Sequence, residues 1–370
     1  MELTGEQQRL LDGDHGEVTS RLMRLLVSLG EIFGAERMVE VGSTQISGVS
    51  YKSIGEPGLA FLEDLAREGV RVRVPTSLNP AGMDLEGWRE LGVPEAFAIR
   101  QQRIMTAFRT MGITAPPTCT PYLIGSVPRP GEHVAWAESS AVVFVNSVLG
   151  ARTNREGGPS ALAAAVCGCT PCYGLHLDEN RRPTVLVEVE AQLNSNADYG
   201  ALGYCLGRKV RGAIPYITGI EAAGRDNLKS FGAAMAASGA VALYHAAGVT
   251  PEASAVSTAG LDRITVEQGE LDEVSSGLDA GETPDLVVTG CPHASLEEVA
   301  AVAGQVRGKT LRVPVWICTS RVIKQRAESE GHLADIEAAG GRICLLYTSP
   351  SPRDRSAYLV CRLLLERGGG

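Results

Sequence analysis

"PDLVVTGCPHASLEEVAAVAGQVRGKTLRVPVWICTS", residues 284–320, reads as strand, loop, helix and strand in one compact βαβ unit. "DLVV" and "VPVWI" are short apolar runs of the strand type, and Ser295 with Glu298 supplies the capping box that opens the helix between them. The same rhythm recurs upstream. "RMVEVGS" (37–43), "VRVRVPTS" (70–77), "AVVFVNSVLG" (141–150), "TVLVEVEAQ" (184–192) and "AVALYHAAG" (240–248) read as strands, mostly leading into loops and then helices. Helices are expected at "VTSRLMRLLVSLGEIFG" (18–34), where Leu22, Leu25, Leu26, Leu29, Ile32 and Phe33 share one face, and at "LAFLEDLAREG" (59–69). Alternating strands and helices predict an α/β fold with largely parallel sheets. A softer boundary falls in the acidic, turn-rich "VEQGELDEVSSGLDAGETP", which divides a main region, residues 1–280, from a C-terminal lobe, residues 281–342. In such sheets ligands gather beyond the carboxyl ends of the strands, so the loops there carry the chemistry.

With 370 residues, the chain is long enough for two or three lobes, and 44% hydrophobic against 21% charged residues is an ordinary globular balance. A net charge of −9 without a Lys/Arg run argues against a nucleic-acid or anionic-membrane role. The start, "MELTGEQQRLLDG", is polar, with Thr4 and Gln7 at capping-box spacing and no signal-peptide core. A cytoplasmic chain is therefore expected, with its nine cysteines as reduced thiols. The other end is unusual. "CLLYTSPSPRDRSAYLVCRLLLERGGG", from Cys344, resembles a translated sequencing adapter, so residues 343–370, with Cys344 and Cys361, are expected to be a non-native tail.

Several residues could carry chemistry. Cys291 closes a strand just before a helix, where backbone N–H groups and the positive helix end favour a thiolate; a small buried residue at a strand end is the plain alternative. Cys119 lies in "PPTCTPYLIGSVPRPGEH", which prolines hold in a fixed loop. Arg152, Asn154 and Arg155 precede Gly157, Gly158 and an Ala-rich helix, a setting suited to carboxylate or phosphate. Ser320 and Arg321 repeat that theme after "VPVWICT", so a small anionic substrate is expected. Ser47, Tyr51 and Lys52 in "ISGVSYKSIGEPG" could bind substrate oxygens or act as a base, or could be turn residues. Cys167, Cys169 and Cys172, closely spaced in "AAAVCGCTPCYGLHLDEN", allow a zinc-binding or thiol-redox reading of another class.

The blocks "ISGVSYKSIG", "PTSLNPAGMD", "CTPYLIGSVPRPGEHVAWAESSAVVFVNSVLGARTNREGGPSALAAA", "TPCYGLHLDENRRPTVLVEVE", "DYGALGYCLG" and "TGCPHASLEE" together resemble the catalytic large chain of the aconitase X family, over residues 1–342. The resemblance implies an aconitase-like architecture, with several α/β/α lobes around a central cluster cleft. It also implies a hydro-lyase that removes water from a carboxylate-bearing substrate with an iron–sulfur cluster of the 4Fe–4S type. Phosphomevalonate in an archaeal-type mevalonate route is the expected substrate, leaning on the "ISGVSY" block, with cis-3-hydroxy-L-proline as the alternative. A separate small swivelling-domain subunit is the implied partner. Cys119 and Cys291 match two of the family's three cluster cysteines. The third normally lies in an Asp-Thr-Cys segment just past the point where this sequence turns into its tail. Cys344, followed by "LLYTSPS", does not match it, so the third ligand is missing and the truncated chain is expected to be impaired. Relatives usually lack cysteines where Cys167, Cys169 and Cys172 stand, which implies a structural role for them. Gln45 stands where relatives often carry His.

Overall fold

The computed structural model describes residues 1–278, 281 and 284–345. The first stretch of chain folds as α1 (Gly5–Asp12), α2 (Glu17–Ile32), β1 (Met38–Glu40), β2 (Thr44–Ile46), α3 (Tyr51–Arg67), β3 (Thr76–Leu78), α4 (Glu95–Thr110), β4 (Ala135–Trp136), α5 (Ser139–Ser147), α6 (Gly158–Cys167) and β5 (Cys169–Pro171). The second comprises β6 (Val185–Val189), α7 (Asn196–Val210), β7 (Pro215–Thr218), α8 (Arg225–Gly239), β8 (His245–Ala246), β9 (Asp262–Val266) and α9 (Gln268–Gly277). The third comprises β10 (Val287–Thr289), α10 (Leu296–Val306), β11 (Val315–Cys318), α11 (Arg321–Ser329), α12 (His332–Ala338) and β12 (Gly341–Cys344).

Three sheets, ordered β3-β2-β4, β8-β7-β6-β9 and β10-β11-β12, are parallel throughout, and β1 pairs antiparallel with β5. This is the α/β, mostly parallel architecture the alternation predicts. Each lobe encloses its own apolar core. Val299, Ile317 and Ile343 fill that of the third, each contributing about 1.5–3 kcal/mol by leaving water.

Both capping boxes form. Gln7 N donates to Thr4 Oγ1 at 3.3 Å and Thr4 N to Gln7 Oε1 at 3.0 Å; Ser295 and Glu298 do the same for α10. Other expectations change. The run 141–150 is not a strand: α5 takes Ser139–Ser147, and every residue from Ala141 to Ser147 is buried. A segment apolar on all sides has no periodicity by which strand and helix could be told apart. In "VRVRVPTS" only Thr76 onward is strand, because Val72 N donates to Met111 O and Arg73 N to Ala165 O, two different neighbours rather than one ladder. "AVALYHAAG" shrinks to the two residues of β8. On α2, Leu22 and Leu26 are buried, but Ile32 is 74% exposed and Phe33 leaves the core to stack on Tyr173. The helix expected at 59–69 starts earlier, at Tyr51, and runs through a kink at Gly55.

Two glycines permit close approaches between elements. Gly290 has φ +100° and lies so close to β11 that a Cβ would come within 2.8 Å of the Cys318 carbonyl carbon. Gly203 lets α7 and α8 approach until a Cβ would meet the Ala234 side chain at 3.0 Å.

Candidate active site

β2, β3 and β4 run parallel, so their carboxyl ends lie on one edge and deliver Ser47, Asn79 and Glu138 there. The proline-rich segment lies across this edge. Thr118 N donates to Leu78 O at 2.8 Å, and Gln45 Nε2 donates to Thr118 O at 3.2 Å. Cys119 is thereby fixed at the end of the first sheet, 2% exposed. From the third lobe, β10 is followed by Gly290 and Cys291. The turn after Cys291 reaches Cys119: His293 N–H donates to Cys119 Sγ at 3.1 Å, and His293 Nδ1 lies 2.9 Å from Thr118 Oγ1. The carboxyl ends of two parallel sheets thus meet, and the two cysteines stand at the junction.

The electrostatics of Cys119 follow from that position. Burial pushes its thiol well above the ordinary thiol range, with Glu138 and Cys291 adding to the shift; the His293 N–H and the Lys229 ammonium oppose it. Around it, Gln45 Oε1, Asn79 Oδ1 and Tyr122 Oη are buried and have no hydrogen-bond partner among the described residues. Buried polar atoms in folded proteins are nearly always paired. Three such atoms around one thiol mark a place shaped to receive a ligand's polar groups. Glu138 is held there by Asn79 Nδ2 at 2.6 Å and Ser139 Oγ at 3.1 Å.

The start of α6, with Arg155 ahead of it, lies beside Ser47. A Cβ on Gly158 would meet Ser47 O at 2.7 Å, so the β2 end sits on the first turn of α6. Arg155, just ahead of that helix, has Nε and one Nη buried with no partner among the described residues. Of the residues expected at the site, Ser47, Arg155, Cys119 and Cys291 lie at these strand and helix ends.

The others are engaged elsewhere. Arg152 pairs with Asp178 and reaches His176 O at 3.4 Å. Asn154 uses both ends of its amide to pin the next loop, donating to Tyr173 O at 2.9 Å and accepting from Leu175 N at 2.8 Å. Ser320 caps α11 by accepting from Ile323 N at 3.3 Å, and Arg321 pairs with Glu86. Tyr51 donates to Glu56 at 3.0 Å and packs edge-on against Phe97, while Lys52 is exposed. Sequence reasoning missed Glu138, Tyr122 and Lys229. The signal for Glu138 was its place directly after a strand, in "AWAESS"; a buried lysine inside an Ala-rich helix gave none.

Cys167, Cys169 and Cys172 do not form a common site. Cys167 ends α6 and Cys169 starts β5, both in the first core, and burial pushes each thiol up to about 12; Cys172 lies outside that core, its thiol also pushed up by burial, with Arg37, Glu179 and Arg152 as its charged surroundings. Among the described residues no three His, Cys, Asp or Glu side chains are grouped to hold a metal ion. Ile343 and Cys344, where the non-native tail was expected to begin, lie in β12, with Cys344 opposite Cys318 and its thiol pushed by burial up to about 11. Cys361 and the rest of that segment, 346–370, lie outside the described residues. Cys119 and Cys291 therefore offer two thiols for an iron–sulfur cluster, amid unpartnered polar atoms, and no third His, Cys, Asp or Glu side chain is grouped with them among the described residues.

Comparison with known proteins gives matches over most of the chain. Family models match at residues 1–179 (aconitase X first domain), 183–276 (second domain) and 284–353 (third domain). The chain is 51% identical to the phosphomevalonate dehydratase large subunit of Methanocaldococcus jannaschii, over 93% of this chain and 88% of that one. It is 53% identical to that of Methanothermobacter thermautotrophicus, over 91% and 85%. Identity to the cis-3-hydroxy-L-proline dehydratase of Pseudomonas aeruginosa is 40%, over 91% and 60%. The crystal structure of Thermococcus kodakaraensis aconitase X in its holo-form superposes with a TM-score of 0.88 at 44% identity, covering 95% of this chain and 90% of that one.

Proposed function

The chain belongs to the aconitase X family, and from that membership we propose that it is the large subunit of a phosphomevalonate dehydratase, acting with a separate small subunit. The observation that carries the chemistry is the meeting of Cys119 with the Cys291–His293 turn at the ends of two parallel sheets. The substrate reading is supported by the 51% and 53% identity to the two archaeal phosphomevalonate dehydratase large subunits, against 40% to the Pseudomonas aeruginosa cis-3-hydroxy-L-proline dehydratase. Cys119 and Cys291 would hold an iron–sulfur cluster. When bound, such a cluster supplies the Lewis acidity that makes a substrate hydroxyl a better leaving group.

The chain's own residues account for the rest of the site. Gln45 Oε1 and Asn79 Oδ1 accept, and Tyr122 Oη donates, hydrogen bonds from and to a substrate's polar groups. Arg155 supplies a half-buried guanidinium for a carboxylate or phosphate, with the first turn of α6 beside it. Glu138 is the carboxylate placed to accept and return a proton, its orientation set by Asn79 and Ser139. Ser47 contributes at the rim. Tyr51, Lys52, Arg152, Asn154, Ser320 and Arg321 then serve to shape the surrounding loops. The division at 281 is supported by a third sheet with its own core, and among the described residues no helix is long and apolar enough to cross a membrane.

The test is anaerobic reconstitution of the chain with iron, sulfide and its small subunit, followed by presentation of each substrate. Water loss from phosphomevalonate is expected, slowed by the missing third ligand; turnover of cis-3-hydroxy-L-proline alone would overturn the substrate assignment. Glu138→Gln should retain iron while kcat falls by about 10²–10⁴-fold.

A further inference from the structure

Lys229 lies on α8 with its side chain 1% exposed, and its ammonium meets oxygens from two lobes. His293 O and Asp226 Oδ1 are each at 3.2 Å, and Glu298 Oε2 completes the set. An ammonium has three N–H donors, and here three oxygens take them. A buried cation costs more to desolvate than an apolar side chain of the same volume, so its value lies in what it holds.

What it holds is the turn that carries Cys291. Lys229 grips the His293 carbonyl directly. Glu298, its other partner, accepts from Ser295 N at 3.0 Å, and Asp226 accepts from Ser295 Oγ at 2.6 Å. On its far side the same turn is tied to the other thiol, through His293 N–H on Cys119 Sγ and His293 Nδ1 beside Thr118 Oγ1. α8 belongs to the second lobe, Cys119 to the first and Cys291 to the third. Lys229 is therefore the charged pin through which the second lobe sets the relation between the other two.

We propose that Lys229 is a positioning residue that fixes the Cys291–Ser295 turn against Cys119, so that the thiol pair is aligned before any ligand arrives. This rests on the proposed function only in taking the pair as cluster ligands. Lys229→Met alone would leave two carboxylates facing the vacated space, so Lys229→Met/Glu298→Gln is the working variant and Lys229→Arg keeps the charge.

The direct measurement is amide hydrogen exchange in the full chain, without iron. The His293 amide, which donates to Cys119, should exchange at least tenfold faster in the double variant. The Ala294 amide, which donates to Cys318 O within its own lobe, and the interiors of α8 and α10 should stay protected, and Lys229→Arg should lie closer to wild type. Unchanged exchange at His293 overturns the proposal. So does uniform acceleration through α8 and α10, or loss of the far-UV circular dichroism of a folded chain, since either makes Lys229 an ordinary core contact. Iron retained against a chelator after anaerobic loading should fall about 10–100-fold in the double variant, as for other residues that orient metal ligands. Cys119→Ser separates the two ideas: full iron retention there removes the cluster reading and leaves the exchange result to decide on Lys229.

Discussion

Replacing Gly290 by alanine tests how the site is built. Gly290 is the residue between β10 and Cys291, at φ +100°, where an L side chain is strained. The strain costs about 1–2 kcal/mol. The added methyl would also press on the β11 backbone, within 2.8 Å of the Cys318 carbonyl carbon and 2.9 Å of its nitrogen, and backbone cannot rotate aside. Overpacking of that kind costs about 1–3 kcal/mol, so the sum is about 2–5 kcal/mol. Relief requires β10 and β11 to separate, which carries Cys291 away from Cys119. The assay is urea unfolding followed by tryptophan fluorescence, since Trp316 on β11 pairs with Val288 on β10 and reports on this lobe. Gly304→Ala is the control. It lies in α10 with nothing within 4 Å of an added Cβ, and should stabilise by about 0.5–1 kcal/mol. If Gly290→Ala unfolds within about 0.5 kcal/mol of wild type, the claim that this glycine is needed for close approach is wrong.

Three further outcomes are expected. Arg155→Met should weaken binding of the anionic substrate by about 1.5–3 kcal/mol, the usual worth of a hydrogen bond to a charged group, read as a raised KM with iron content unchanged. Replacing Cys167, Cys169 and Cys172 together by serine should lower stability, since two of them lie in the first core, and leave iron content as in wild type; loss of iron there, with none on Cys119→Ser, would favour the zinc or thiol reading instead. His176 is buried, shares an Nδ1–Nδ1 hydrogen bond of 2.9 Å with His133, and burial, then the neighbouring His133, lowers its pKa from 6.5 to about 3. The unfolded chain binds that proton below pH 6.5 and the folded chain does not until about 3, so stability is present above 6.5 and falls on acidification at about 1.4 kcal/mol per pH unit across that window. Denaturation midpoints across this range should show that slope, and His176→Gln should flatten it.

The local settings of the candidate site residues were legible because near neighbours make them. A cysteine directly after a strand and before a capped helix, as at Cys291, has its place set by neighbours a few residues away. Prolines around Cys119 limit the backbone wherever the loop lies. Arg155 before Gly157 and Gly158 announces a helix start in the same way. What was not legible is which polar groups are already taken. Asn154, Arg152, Arg321 and Tyr51 all look like binders in the sequence. Their partners, Tyr173 and Leu175, Asp178, Glu86 and Glu56, can be known only once the chain has closed on itself.

Residue order alone specifies the alternation of strands and helices, the capping of α1 and α10, and the strand-end and proline-loop settings of Cys291 and Cys119, because propensity, capping and turn chemistry act over a few residues. The convergence of segments from three lobes on one turn exists only in the folded chain. Folding also placed a buried lysine among two carboxylates and a carbonyl, and turned the apolar run at 141–147 into a helix. Those outcomes depend on which surfaces are removed from water together, and burial of that kind is a property of the packed chain that no local window contains.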